Sequence, residues 1–181
     1  MKNSSLFLNM VGSKCSDCGA GRLSVDHVTH DMASLFGMES VKVNNLPVLV
    51  CSRCKHLTIT GPVIDGISML LAATILGTTE LGWMEIKYLR KLIGDTQDEF
   101  AQKLNVDRVT VSRWENSKVP ITGITSEAIR LHAYLRLRGR SPAIDAVGAA
   151  LTAVKQQNAH KRAKRSSYKL DGSRVVPAMA A

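Results

Sequence analysis

The pairs Cys15-Ser16-Asp17-Cys18 and Cys51-Ser52-Arg53-Cys54 constrain this chain more than any other feature, because they hold all four of its cysteines. A two-residue gap lets one turn aim two thiolates at a single point, and two such turns complete a tetrahedron of soft ligands. The spacing therefore predicts one zinc site built from Cys15, Cys18, Cys51 and Cys54. Four protein ligands close such a site and leave no open position for a substrate, so the zinc is expected to be structural. Gly19 follows the first pair, where a left-handed backbone is often needed. The alternative is thiol redox chemistry, which would want a pair at a helix start within a βαβ pattern. Neither pair has that setting. With four thiolates in place, His27, His30 and His56 are read as surface or packing residues.

The 32 residues between the pairs exceed a short-finger spacing, so the ribbon must carry an insertion. Valine-rich and threonine-rich runs at Leu23–His30, Ser40–Val43 and Pro47–Val50 read as strands, with Asn44-Asn45 as a turn. Residues 1–60 are thus expected to form a small β-rich, zinc-ribbon-like domain. From Pro62 to Leu76 the pattern becomes helical, with Ile64, Ile67, Leu71 and Ile75 on one face, and residues 61–79 are read as helix and linker.

Residues 80–138 read as short helices: Leu81 to Ile93, then one capped by Thr96 with Glu99 completing a capping box. Asn105-Val106 is a tight turn, Asp107 caps a third helix, and Thr125 or Ser126 caps a fourth that runs to about Leu137. A C-terminal helix over 139–155 presents Ile144, Val147, Leu151 and Val154, and 156–181 is a basic tail expected to be disordered when free. Six of the nine excess positive charges fall in residues 155–181, a distribution that favours non-specific attraction to nucleic acid. The fold class is therefore α+β, a β-rich metal-binding module followed by an all-α one. Aromatics make up only 4 %, which suits two small cores better than one large enzyme fold. No nucleophile–base pair or glycine-rich phosphate loop occurs, so an enzyme is not expected. No leader pattern is present, and the apolar run Val63 to Gly77 is short for a bilayer and contains Asp65. The expectation is a cytoplasmic, nucleoid-associated protein with no membrane partner.

The third helix, within Asp107 to Lys118 (DRVTVSRWENSK), carries the sharpest functional signal. Phe100, Ala101, Leu104, Val106, Val111 and Trp114 form one internal apolar set that lets the second and third helices cross. That leaves Arg108, Val109, Ser112 and Arg113 on the outer face, the face that enters the major groove in a helix-turn-helix. The stretch TQDEFAQKLNVDRVTVSRWENSK resembles the Xre/Cro-type helix-turn-helix of lambdoid phage repressors. The resemblance implies a lambda-repressor-like domain in which Gln97 bonds a DNA phosphate and Arg108, Val109 and Arg113 read bases. Arginine can donate bidentately to guanine, and valine can pack on a thymine methyl group. Thr110, Ser112, Asn116 and Lys118 would touch the DNA backbone, while Glu115 would turn back into the domain. Ser117 stands where that family usually has glycine.

The order CxxCG, LPVLVCxxC, linker and Xre-type domain is similar to the MqsA/YgiT-type antitoxins of bacterial type II toxin–antitoxin modules, over roughly residues 15–138. That resemblance implies a homodimer on a near-palindromic operator, repression of its own promoter, and a toxin protein bound by the N-terminal domain. A stand-alone zinc-containing regulator, a zinc-scaffolded protein–protein adaptor and a thiol oxidoreductase are the alternatives.

Overall fold

A three-stranded antiparallel sheet grows out of the two cysteine turns. The computed structural model describes residues 7, 9–78, 81–150, 168–171 and 174–177. Strand β1 (Leu23–Asp31) runs antiparallel to β2 (Lys42–Cys51), with Leu23 opposite Cys51, and β3 (Leu57–Thr58) pairs with Leu49 and Val50 at that same end of β2. Ser40–Val43 and Pro47–Val50 were expected as separate segments about an Asn44-Asn45 turn; Lys42, Val43 and Pro47–Val50 instead lie along one continuous strand, which Ser40 and Val41 precede. The asparagines form a bulge instead: the register steps from Val28–Leu46 to His30–Val43, and Asn45 takes φ 55. An asparagine tolerates the left-handed region, so one extra residue can be absorbed without breaking the ladder. Leu23, Leu46, Val48, Leu49 and Val63 form one buried cluster with Cys15 and Cys51, drawn from both faces of the sheet. The loop joining β1 and β2 contains helix α1 (Ala33–Phe36), and Asp31 Oδ1 ties its two ends by accepting from the N–H groups of Ala33 and Val41.

Helix α2 (Gly61–Gly77) starts with Pro62 in its first turn, where the missing N–H costs nothing. The expected face of Ile64, Ile67, Leu71 and Ile75 is only part of what it buries. Val63, Met69, Ala72, Ala73 and Leu76 are covered as well, because α2 packs against two bodies. Its first turns meet the sheet through Val63, Ile64 and Ile67, and its later turns meet the helices that follow. The Tyr88 hydroxyl donates to Ser68 O at 2.8 Å, and the Phe36 ring meets Tyr88 edge-on at 5.9 Å.

Helices α3 (Trp83–Ile93), α4 (Gln97–Leu104), α5 (Arg108–Glu115) and α6 (Gly123–Leu137) enclose Ile86, Leu89, Phe100, Val111, Ile129, Ala133 and Leu137. The capping box at the start of α4 is present, with Thr96 and Glu99 bonding reciprocally. Asn105 closes α4 in the left-handed region at φ 53. Asp107 occupies the N-cap position of α5, but its side chain makes no capping bond. The cap of α6 is Thr122 rather than Thr125 or Ser126: its Oγ1 accepts from Thr125 N–H, and the helix begins one turn earlier than expected. Residues 142–150 are helical (α7), and Ile144 is fully buried against the same core. The rest of the expected stripe, Leu151 and Val154, lies outside the described residues. The C-terminal tail was expected to lack order, yet β4 (Tyr168–Asp171) pairs antiparallel with β5 (Arg174–Pro177). The Asp171-Gly172 dipeptide between Leu170 and Val175 is a hairpin signal that the tail's charge obscured. Among the described residues no helix is long and apolar enough to cross a membrane.

Candidate metal centre and nucleic-acid interface

The two cysteine turns are built alike. Cys15–Cys18 lies in a tight hairpin closed by the Lys14–Arg22 bridge, and Cys51–Cys54 lies between β2 and β3. In each, the residue after the second cysteine folds back: Gly19 N–H reaches Cys15 O at 2.9 Å, and Lys55 N–H reaches Cys51 O at 3.1 Å. Both residues are left-handed, Gly19 at φ 66 and Lys55 at φ 61. Glycine takes that conformation freely, whereas Lys55 holds it under strain.

The pairing of β1 with β2 brings the two turns together. The four Sγ atoms lie within 4.8 Å of one another, with Cys15–Cys54 at 3.8 Å and Cys18–Cys51 at 3.7 Å. A tetrahedral ion with metal–sulfur bonds of about 2.3 Å, the zinc–thiolate value, requires sulfur–sulfur edges of about 3.8 Å. The cluster therefore fits a four-thiolate metal site. Backbone N–H groups support the thiolates: Gly21 donates to Cys18 Sγ and Arg53 to Cys51 Sγ, each at 3.4 Å. The N–H groups of Gly21 and Ala20 bring the Cys18 thiol down to about 6. Cys51 is also lowered, chiefly by the N–H of Cys54. For Cys54 the His56 N–H favours the thiolate, but desolvation and the adjoining Cys51, Cys18 and Cys15 thiols push it up to about 12. Four thiolates this close repel one another unless a cation sits among them. Gly21 is an element of the site that pattern reading missed: a Cβ there would overlap Cys51 Sγ and press on the backbone of Arg53. His27, His30 and His56 are all exposed and outside the cluster.

The second candidate site is α5. Val111, Trp114 and Glu115 face inward, while Arg108, Val109 and Arg113 are exposed, Val109 at 57 %. Thr110 and Ser112 are half-buried on the flanks; Asn116 and Lys118 are exposed beyond the helix end. Asn116 Nδ2 donates back to Ser112 O at 2.6 Å, and Lys118 N–H to Arg113 O at 2.9 Å. Arg108 leans on Asp98 of α4 at 3.4 Å, an exposed pair that water screens. Ser117 adopts φ 56, the left-handed geometry for which glycine is better suited.

What holds α5 in place is a buried ionic latch that the sequence reading half saw. Glu115 was expected to turn inward, and it is 2 % exposed; its partner Arg90 on α3 was not foreseen. Arg90 Nε donates to Glu115 Oε1 at 2.5 Å and Nη2 to Oε2 at 2.9 Å, a bidentate pair. Gln97 Nε2 donates to Oε2 at 2.8 Å, and Arg90 Nη1 to Asp95 O at 2.8 Å. Burial raises the Glu115 carboxyl, but the hydrogen bonds from Arg90 and Gln97, with the Arg90 charge, more than reverse this and hold it below its usual range. An arginine inside an apolar helix face was the signal available in the sequence, since a buried guanidinium needs a carboxylate. Gln97, assigned to a phosphate by resemblance, thus has its amide N–H₂ turned toward the latch.

No curated protein matches the chain. Residues 86–130, which span α4 and α5 whole with most of α3 and the first half of α6, match the helix-turn-helix family model, and this segment is therefore a helix-turn-helix domain of the kind carried by DNA-binding regulators.

Proposed function

We propose that the protein is a sequence-specific DNA-binding transcriptional repressor whose cysteine module holds one structural zinc ion. The observation that carries this is the outer face of α5, where Arg108, Val109 and Arg113 stand exposed on a helix fixed from behind by Val111, Trp114 and Glu115. In this reading the N-terminal part of α5 enters the major groove, and Arg108, Val109 and Arg113 meet base edges. Gln97, Thr110, Ser112, Asn116 and Lys118 line the phosphates. One N–H of Gln97 serves Glu115, so its amide carries the buried latch to the DNA backbone.

The repressor acts as a homodimer. Ile124, Leu131 and Leu135 are 86 %, 48 % and 48 % exposed, and with the exposed Ala128 they form one stripe along α6. Spacings of four, three and four residues keep that stripe on a single face, which suits a second copy related by a two-fold axis. Two α5 helices would then read half-sites about 34 Å apart in a near-palindrome. The decisive experiment is footprinting of the full chain on the DNA upstream of its own reading frame. A protected near-palindrome, lost as salt rises, is expected; a protein that leaves this DNA unprotected at low salt is an adaptor, not a repressor.

The finer reading is autoregulation as the antitoxin of a type II module, with a toxin protein on the cysteine domain. It is supported by the long β1–β2 hairpin, in which β1 is a sheet edge with seven of its nine residues exposed. An unpaired strand edge is a ready template for another chain. Co-purification of the full chain with the product of an adjacent reading frame tests it, and a plain repressor would purify alone.

A further inference from the structure

The seam between the cysteine module and the helical domain holds a cleft of about 500 Å³, within the roughly 300–1,000 Å³ range of sites that take small molecules. One wall is α1 with its following turn, including Leu35 and Phe36. The other is a single face of α3, where Trp83, Lys87 and Lys91 recur every four residues and so stand in one row. Leu35 and Trp83 are 55 % and 38 % exposed, a large apolar surface left to water on both sides of one opening. The floor is the ring of Tyr88, whose hydroxyl is turned away to Ser68 O.

The charge in this cleft has one sign. Lys87 and Lys91 line it and no carboxylate does, and neither lysine forms an ion pair among the described residues. Two neighbouring ammonium groups repel each other, and an anion placed between them relieves that repulsion. The apolar walls exclude ligands that are all charge, such as inorganic phosphate. We propose that the cleft binds an anionic small molecule with a planar apolar body, its acid group on Lys87 and Lys91 and its body between Leu35 and Trp83. This site stands whether or not α5 reads DNA. It also lies on the helix whose Arg90 grips Glu115 of α5, so its occupant would touch the element that carries the latch.

The probe is 8-anilinonaphthalene-1-sulfonate, a sulfonate on a planar apolar body, titrated by fluorescence into the full chain purified with zinc. Saturable one-to-one binding is expected. It should weaken at least tenfold in the double variant Lys87→Gln, Lys91→Gln, with circular dichroism unchanged, and benzoate should displace the probe where neutral benzamide does not. Equal binding by the double variant, displacement by both competitors alike, or no saturable binding at all overturns the proposal. Should the lysine variant lose structure, Leu35→Glu on the exposed opposite wall decides the matter: at least tenfold weaker binding supports the site, and unchanged binding overturns it.

Discussion

Arg113 and Trp114 are adjacent in sequence and opposite in environment, the first exposed and the second 6 % exposed. That division separates what α5 can offer a partner from what anchors it. Replacing Arg113 with alanine removes a side chain that supports no core, so stability should hold while operator affinity falls by about 1–3 kcal/mol, with preference relaxed at one base pair. Anisotropy titrations on operators mutated position by position measure this, and equal weakening on every sequence would remove Arg113 from base reading. Glu115→Gln acts on the other side of the helix. It leaves the Arg90 guanidinium buried without its counter-charge, which costs roughly 3–5 kcal/mol and should lower the thermal midpoint with no change of contacting residues. The same latch sets an acid limit. A carboxyl held below its usual range in the folded state contributes stability that is complete above the unfolded value of about 4.3 and is lost as pH falls through the lower folded value. The wild-type chain should therefore lose midpoint temperature on acidification below about pH 4.3, and Glu115→Gln should lose less over that interval. Arg113, Val111, Trp114 and the inward turn of Glu115 were readable because helical periodicity sorts faces. Arg90 and Gly21 were not, since their roles depend on atoms from distant parts of the chain: Glu115 and Cys51 Sγ.

Elements were legible to the extent that their signals are local. The capping box of Thr96 and Glu99, the Asn105 turn and the starts of α4 and α5 rest on neighbours within a few residues, and sequence reading placed them correctly. The Asn44-Asn45 bulge misled because an asparagine pair signals a left-handed backbone, and both a turn and a bulge supply one. The cap of α6 was missed for a similar reason: Thr122, Thr125 and Ser126 all have capping hydroxyls, and only packing selects among them. Helix α6 also carries the testable surface of this scale. Leu131→Lys with Leu135→Lys places charge on the exposed stripe and leaves Ile129, Ala133 and Leu137 buried as before. The double variant should sediment as a monomer, keep its helical content and bind a single half-site only weakly. A variant that remains dimeric would move the interface elsewhere, and Ile144 on α7 is not a candidate because it is fully buried in the core.

At the scale of the molecule, two hydrophobic clusters, one on the sheet and one among the helices, share the side chain of Phe36 and are spanned by α2. Neither composition nor local pattern foretold this, because a helix followed by Gly77-Thr78 looks the same in sequence whether it dangles or docks. Metal removal should therefore be felt beyond the sheet. Zinc bound by four thiolates supplies about 10–16 kcal/mol to modules of this size, so chelation should melt the sheet. Through α2 it should also lower the melting temperature of the helical domain, seen by following β and helical circular dichroism signals together. Independent melting of the two signals would show the modules to be uncoupled.

The sharing of α2 has a practical consequence for anyone dividing the chain. A cut after residue 79 would strip Met69, Ala72, Ala73 and Leu76 of their partners and leave an apolar strip on the N-terminal fragment. The complementary fragment, from residue 80 onward, would lose the bond from the Tyr88 hydroxyl to Ser68 O and the α2 side chains packed on its core. Both halves are expected to form aggregates larger than a dimer in light scattering, where the whole chain stops at two copies. The border between these two modules is a place where they lean on each other, and evolution could exchange either half only for one that packs on the same face of α2.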